Sequence, residues 1–460
     1  MYEFDLLRTM ATRVTPEMLG SLANVLKRFA SPVESRPPGP LWWHRPGIGI
    51  MYLTEYRPGM DWDRDYTEFN RSMTGADGKI NFNGPFCKVE QWVELSAEVG
   101  VDYHIMAVKW HDGICYFDTA LTDWKADKDY AGRFAEGSRA AGIPFLFYYS
   151  AVFDHNPMFD PVQPRKDMTA SFLGIPSNPT YEEYLRGQYR EIMDRYRPDG
   201  MWIDWYWPDS CTRTTLDYFK TNHPETVLTF NISSLFRGAY KKLHYTSAEA
   251  HDLDGSYVVI RRLGKGVVVI MESAWKLSAL ARRVFDHPWE FVTPVGRWWQ
   301  NPTLRDDPLD LLRMAAVVMA CGGRLCMGAA PRLDGSLFPD QVEQLRLLGD
   351  WYRPRRSLFH QSCPLRYRRK EPPGVEVHPG SIKAIACRAG GDILLHLINM
   401  DGATRPVRVK LSGRRWRDRR AAFLEPHGRG VDLRSVHSGI ELLIGKNDVD
   451  AVDTIVRLAA

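Results

Sequence analysis

Asp204 lies in Gly200-Met-Trp-Ile-Asp-Trp-Tyr-Trp207, an apolar run that holds one carboxylate among three tryptophans and a tyrosine. Desolvating a lone acid in such a run is costly. The carboxylate is therefore either a buried structural acid with a fixed hydrogen-bond partner, or it faces a cavity where a ligand meets it. Aromatic rings beside a carboxylate suit a sugar: rings such as Trp202 and Trp205 stack on C–H faces while the acid works at the ring carbon. Three other places bring polar or aromatic side chains to the ends of apolar runs, namely Lys109-Trp110-His111-Asp112, Tyr149 and Asn231. No nucleophile elbow, phosphate-cradling loop or metal-ligand spacing accompanies them, so no cofactor and no metal are expected. Cys115 and Cys211 lack a His or Asp setting that would activate a thiolate, and read as small apolar fillers.

These residues need a scaffold that brings them to one place. Residues 47–53 read as a strand, and Val89–Val99 as a helix with Trp92, Leu95 and Val99 on one face. A strand over 102–109, a helix over Tyr130–Ala141 stopped by Gly142, and a strand over 144–150 follow. Thr180-Tyr-Glu-Glu183 has the spacing of a capping box opening a helix that runs to about Tyr196. Pro198-Asp-Gly200 then turns into the strand bearing Asp204, and residues 226–231 form the next strand. This alternation predicts parallel β/α units. With no Gly-rich dinucleotide loop after the first strand, a (β/α)8-like TIM barrel is preferred over an open sheet. Chemistry in such barrels gathers at the C-terminal ends of strands, and Lys109 to Asp112, Tyr149, Asp204 and Asn231 all fall there.

After Trp351-Tyr-Arg-Pro-Arg-Arg356 the texture changes to short apolar or alternating runs separated by Pro-Gly, Gly-Gly and Asp-Gly turns. That pattern predicts a small C-terminal antiparallel β-sandwich. The expected division of this α/β chain is a lead-in over 1–40, a barrel over 41–356, a linker over 357–371 and a sandwich over 372–460.

The 460 residues are 44% hydrophobic and 25% charged, an ordinary globular composition. A net charge of +4 is too mild to imply nucleic acid, and the arginines between 405 and 420 read as a solvated surface. No stretch approaches the length of a spanning helix, so no membrane partner is expected. Seven cysteines with irregular spacing argue against a disulfide framework. The first ten residues lack a basic stretch followed by an apolar core, so a reducing, cytoplasmic setting is expected.

Four segments in order resemble the α-L-fucosidases of glycoside hydrolase family twenty-nine. Residues 103–113, with Lys109-Trp110-His111-Asp112-Gly113, are similar to the family's Lys-His-His-Asp-Gly segment, and Thr122-Asp-Trp124 follows it. Residues 141–150 resemble the family's next strand, and Pro198-Asp-Gly-Met-Trp-Ile-Asp204 the strand bearing its nucleophile. Residues 322–335 are similar to the closing Gly-Gly-Asn-Leu-Leu-Leu-Asn-x-x-Pro-x-x-Asp-Gly segment. The resemblance spans about 85–356. It implies a retaining exo-α-glycosidase in which Asp204 forms a glycosyl ester and a second acid protonates the leaving oxygen, then activates water. That second acid is Glu249, in Tyr245-Thr-Ser-Ala-Glu249, 45 residues beyond Asp204, with Glu290 in His287-Pro-Trp-Glu290 as the alternative. The two carboxyl groups would then stand about 5–5.5 Å apart.

The departures bear on the sugar. The family's first strand ends in Gly-Ile-Phe-Ile-His-Trp-Gly, whose His binds a sugar hydroxyl; here the run is Gly49-Ile-Met-Tyr-Leu-Thr-Glu55. Trp110 replaces the first His of the His-His pair, leaving His111, and Asn231-Ile-Ser233 lacks the family's arginine. Hydroxyl-reading hydrogen bonds decide substrate choice strongly, so an altered sugar is expected, read by Glu55, Tyr56 and Trp110. The partner is a carbohydrate or glycoside. Two alternatives share these motifs: a catalytically silent carbohydrate-binding relative, and a transglycosidase using the same acids. The motifs do not bear on oligomeric state.

Overall fold

The computed structural model describes residues 41–54, 76, 87–151, 154–159, 179–204, 217–230, 246–249, 288–297, 299, 303–332, 334–365, 374–413, 416, 419–425, 431–436 and 439–459. Eight parallel strands form one sheet: β1 (Gly47–Tyr52), β2 (Tyr103–Lys109), β3 (Phe145–Ser150), β4 (Gly200–Asp204), β5 (Val227–Phe230), β6 (Thr246–Glu249), β7 (Trp289–Pro294) and β8 (Arg324–Ala329). Their hydrogen-bonded order is β5-β4-β3-β2-β1-β8-β7-β6, and the two end strands approach each other, so the sheet curls into a barrel. Helices α1 (Val89–Val99), α2 (Tyr130–Ala141), α3 (Pro179–Tyr196), α4 (Asp310–Ala320), α5 (Pro339–Tyr352) and α6 (Arg356–Gln361) accompany it.

The strands alternate as a half-filled barrel requires. Met51, Leu53, Tyr103, Ile105, Ala107, Leu146, Tyr148, Trp202, Val227, Val292 and Cys326 share one buried cluster, the barrel interior. The opposite side chains of the same strands join the helices in a second, larger cluster. Helix α1 buries Trp92, Leu95 and Val99 against the sheet and ends at Gly100, whose φ of 76° closes the last turn. Helix α2 starts at Asp129, whose carboxylate accepts the Gly132 N–H, and stops at Gly142. His104 on β2 is tied to both helices through Ser96 (3.0 Å) and Ser138 (2.8 Å), and burial pushes its imidazole down to about 3, so it is neutral.

The capping box expected at Thr180 does not start its helix. Helix α3 already begins at Pro179, so Thr180 sits inside the first turn, and Glu183 pairs with Arg186 instead. Inside the first turn, Thr180 no longer holds the cap position from which its hydroxyl would accept a first-turn amide.

The remaining strands, β9 (Cys363–Pro364), β10 (Val375–His378), β11 (Ile382–Ala389), β12 (Asp392–Asn399), β13 (Val407–Ser412), β14 (Arg420–Glu425), β15 (Asp432–Val436), β16 (Gly439–Ile444) and β17 (Asp453–Ala459), form two antiparallel sheets. Their orders are β10-β13-β16-β15 and β14-β17-β12-β11-β9. Residues 357–371, expected as linker, contain the end of α6 and strand β9, and β9 already pairs with β11. The basic stretch is charge-paired: Arg408 and Lys410 on β13 face Glu441 on β16 and Glu376 on β10.

The sandwich seats on α4 and α6. Ile385, Cys387, Leu394, Ile398 and Ile455 belong to the same buried cluster as the helix layer. His396 on β12 stacks on Phe359 of α6 (5.3 Å) and pairs with Asp453 on β17 at 2.7 Å, both side chains fully buried. Burial opposes the imidazolium, but the Asp453 carboxylate outweighs it and lifts His396 to about 10.

Candidate active site

Asp204 is the last residue of β4 and is 4% exposed. Because β4 pairs in parallel with β3, Asp204 stands beside Ser150. Tyr148, two residues earlier on β3 and facing the same way, donates its hydroxyl to Asp204 Oδ2. His111 Nε2 lies 3.7 Å from the same oxygen, and its Nδ1 pairs with Ser150 Oγ at 2.6 Å. Burial, with the nearby positive charges of His155 and Lys109, pushes His111 well below its ordinary range. At that distance the contact is therefore one between a neutral ring and a carboxylate, not an ion pair.

Three rings back the acid. Trp110 stacks on Tyr148 (centroids 4.5 Å apart, planes at 22°), and Tyr148 stacks on Trp202 (5.3 Å, 20°). Trp110 also leans on His111 at 4.9 Å. The carboxylate is thus held by a hydroxyl whose own ring is clamped on both faces, which fixes its rotamer before a ligand arrives. Tyr148→Phe keeps the stack and removes the donor. A hydrogen bond to a charged group is worth about 1.5–3 kcal/mol, so kcat on an aryl glycoside is expected to fall about tenfold to a hundredfold, with KM nearly unchanged. Unaltered kcat in that variant would show that the hydroxyl does not hold a working carboxylate.

Glu290 sits elsewhere. It is the second residue of β7, in register with Arg324 at the start of β8, whereas Asp204 ends its strand. Its side chain is fully buried, accepting from Tyr103 Oη and from Trp202 Nε1 (2.9 Å). Burial and the adjoining Cys326 and Glu290 push Tyr103 well above its ordinary range, so the phenol stays a donor. Among the described residues Glu290 is enclosed near the N-terminal end of β7, whereas Asp204 stands at the C-terminal end of β4. Glu290, the alternative acid/base expected from the sequence, is thus buried and holds the Trp202 indole. Trp202, expected as a ligand contact, is 2% exposed in the interior cluster and stacks on Tyr148.

Tyr149 is a second correction. It faces away from the barrel interior, donating to Gln188 on α3 beneath the Lys109 ammonium, which lies 4.3 Å from its ring. Tyr148 holds the inward position, and strand alternation from Asp204 and its neighbour Ser150 was the signal that identifies it. Lys109 pairs with Asp154 at 2.5 Å, both fully buried, in a setting that includes Tyr181 and Tyr184. This pair ties the loop after β3 to the loop after β2, where His155 N donates to His111 O (3.0 Å). Gly113 (φ 78°) allows the close approach, since a Cβ there would lie 2.3 Å from Asp154 Oδ1. Asp112 caps its own turn, accepting from Ile114 N at 2.9 Å. Burial pushes the Cys115 thiol up to about 12, consistent with a filler.

Glu249 is the last residue of β6. In the order around the curled sheet, β5 alone separates β6 from β4, so Glu249 and Asp204 both end strands on one arc of the rim. Glu55, Tyr56, Trp205, Asn231 and Cys211 lie outside the described residues. Trp299, after β7, packs on the interior cluster beside Leu53, with its ring where a Cβ on Gly328 would stand.

The curled eight-stranded parallel sheet, with an aromatic-clamped carboxylate at its C-terminal rim and a sandwich packed on its helices, is a TIM-type barrel with a C-terminal β-sandwich. Residues 54–355 match the family model described as Alpha-L-fucosidase, and the chain belongs to that family. Among curated relatives, rat tissue alpha-L-fucosidase (Rattus norvegicus) is 21% identical over 344 residues, covering 71% of this chain and 65% of its own. An alpha-L-fucosidase of Branchiostoma floridae is 23% identical over 304 residues, covering 63% and 61%. The chain thus spans just under two thirds of the length of these relatives. Among solved structures, Thermotoga maritima alpha-fucosidase in complex with fucose superposes with a TM-score of 0.65 at 17% identity, covering 91% of this chain and 96% of that one. Alpha-L-fucosidase isoenzyme 1 from Paenibacillus thiaminolyticus gives 0.62 at 19% identity, covering 91% and 97%.

Proposed function

We propose that this chain hydrolyses the α-glycosidic bond of a terminal fucose-like sugar by double displacement, with a sugar specificity shifted from that of its relatives. Asp204 attacks the anomeric carbon while Glu249 protonates the departing oxygen, leaving a glycosyl ester on Asp204. Glu249 then takes a proton from water, which attacks the anomeric carbon and frees Asp204. The observation that carries this reading is the Asp204 carboxylate, held at the rim by Tyr148 inside the Trp110–Tyr148–Trp202 stack. Support for Glu249 comes from its place at the end of β6, one strand from β4. The specificity shift is supported by Leu53 and Trp110, an alkyl group and an indole at the inner ends of β1 and β2. We place the reaction in the cytoplasm on the strength of the six described cysteines, which are free thiols, five of them buried.

Trapping tests the mechanism. A 2-deoxy-2-fluoro-α-L-fucosyl fluoride is expected to label the peptide carrying Asp204, and NMR of a cleaved aryl glycoside should show the α-anomer first. A β-anomer as first product, or label on another carboxylate, overturns the double displacement.

A further inference from the structure

We propose that Ser150 is a positioning residue for the nucleophile: its hydroxyl donates to His111 Nδ1, fixes the ring proton on Nε2 and so turns an N–H toward Asp204. This rests on the hydrolase reading above and names a further residue of the same site. Ser150 Oγ and His111 Nδ1 lie 2.6 Å apart, a hydrogen bond, and both side chains are buried with Asp204. Burial and the nearby positive charges of His155 and Lys109 keep the imidazole neutral, so it carries one proton, on either Nδ1 or Nε2. The hydrogen bond made by one ring nitrogen decides which of the two it is. Two arrangements fit that bond. If Nδ1 donates to Ser150, the bare lone pair of Nε2 faces Asp204 Oδ2 at 3.7 Å and repels the carboxylate. If Ser150 donates to Nδ1, Nε2 carries the hydrogen and attracts the same oxygen that accepts from Tyr148. At 3.7 Å no hydrogen bond is made, but the sign of the dipole still acts on a buried charge. Only the second arrangement suits an ionised acid that attacks a sugar.

The surroundings keep the ring in that pose. Trp110 leans on it at 4.9 Å, and the His111 carbonyl accepts from His155 N (3.0 Å) in the loop that the Lys109–Asp154 pair anchors. Ser150 is held as firmly. It stands in register with Asp204 on the neighbouring strand, and the next amide, Ala151 N, donates to Asp204 O at 3.1 Å. Strand alternation puts Ser150 on the same face as Tyr148. Both inward residues at the end of β3 therefore serve one carboxylate, Tyr148 directly and Ser150 through His111.

Nitrogen NMR of the imidazoles in the full chain, labelled at histidine, reads which ring atom bears the proton, with the His111 signals assigned by their loss in His111→Gln. The wild type is expected to show Nε2 protonated and Nδ1 bare. Ser150→Ala removes the donor, so the His111 signals should move toward those of exchanging tautomers. In the same variant kcat on an aryl glycoside should fall about tenfold, the effect of one buried hydrogen bond, with KM nearly unchanged. Ser150→Thr keeps the hydroxyl and should restore both the spectrum and most of kcat, which a mere change of packing would not do. If Ser150→Ala does not fold, Ser150→Cys, similar in size and with a weaker donor, takes its place. A wild-type ring protonated at Nδ1, or a Ser150→Ala protein with unaltered His111 signals or unaltered kcat, overturns the proposal. If the wild type cleaves no glycoside, the hydrolase reading fails by itself and the spectra alone decide: Nε2–H sustains the Ser150 assignment, and Nδ1–H removes it.

Discussion

Asp204→Asn is expected to lower kcat on an aryl α-L-fucoside by about ten-thousandfold or more, in line with the loss of other covalent nucleophiles, while the thermal midpoint stays within a few degrees. The side chain keeps its shape, and the amide oxygen can still accept the Tyr148 hydroxyl, so the Trp110–Tyr148–Trp202 stack has no reason to move. What is lost is the negative oxygen that forms the glycosyl ester. Single-turnover kinetics with a good leaving group isolates that step from acid catalysis. Activity within tenfold of the wild type, at unchanged stability, would make Asp204 a structural acid and end the double-displacement reading.

The largest effect on stability is expected at the opposite end of the barrel. Asp102, just before β2, accepts from Ile48 N (2.9 Å), Tyr352 Oη (2.6 Å) and Arg356 Nη2 (2.7 Å), with His360 Nε2 at 3.1 Å. One carboxylate thereby joins β1, β2, the end of α5 and α6. Burial would raise its pKa, but the His360 hydrogen bond, the Arg324 and Arg356 charges and the Tyr352 hydroxyl outweigh this and hold it at about 2. A folded value below the ordinary 3.8 means stability that is fully present above that pH and is lost as pH falls toward 2. The difference corresponds to about 2.5 kcal/mol. Asp102→Ala also leaves the Ile48 amide and a half-buried guanidinium without their partner, so a loss of about 3–5 kcal/mol at pH 7 is expected. Urea unfolding checks this at pH 7 and pH 3: the gap between variant and wild type should narrow at the lower pH. A loss under about 1 kcal/mol, or a gap independent of pH, would show that Asp102 is not the tie described.

Much of the barrel was legible because its signals are local. Val89–Val99 and Tyr130–Ala141 carry a 3.6-residue apolar stripe and each is followed by a glycine, so both helices could be bounded from the sequence alone. The strand carrying Asp204 was equally clear, since an apolar run after Pro-Asp-Gly has few other uses. The capping box at Thr180 misled because the same four residues fit the first turn of a helix already begun at Pro179.

Which side chains meet at the rim was a different matter. A register irregularity between β2 and β3 at Ala107/Lys109 turns Lys109 outward onto Tyr149, and leaves Trp110 to join the interior. That one-residue slip exchanges the faces of all that follows it. Glu290 was ambiguous for a related reason: its type suits an acid/base, but depth along a strand is visible only once the register with β8 is known.

The sequence by itself determined the order of strands and helices through residue 231, the acid at the end of β4 and the change to antiparallel sheets near the C-terminus, because propensity, periodicity and turn chemistry act over a few residues. Only the tertiary structure decided that Tyr148, not Tyr149, holds Asp204, that Glu290 holds the Trp202 indole, and that Lys109 clamps two loops through Asp154. Those contacts join residues dozens of positions apart, and they follow from sheet register and barrel closure, which no local stretch of chain encodes.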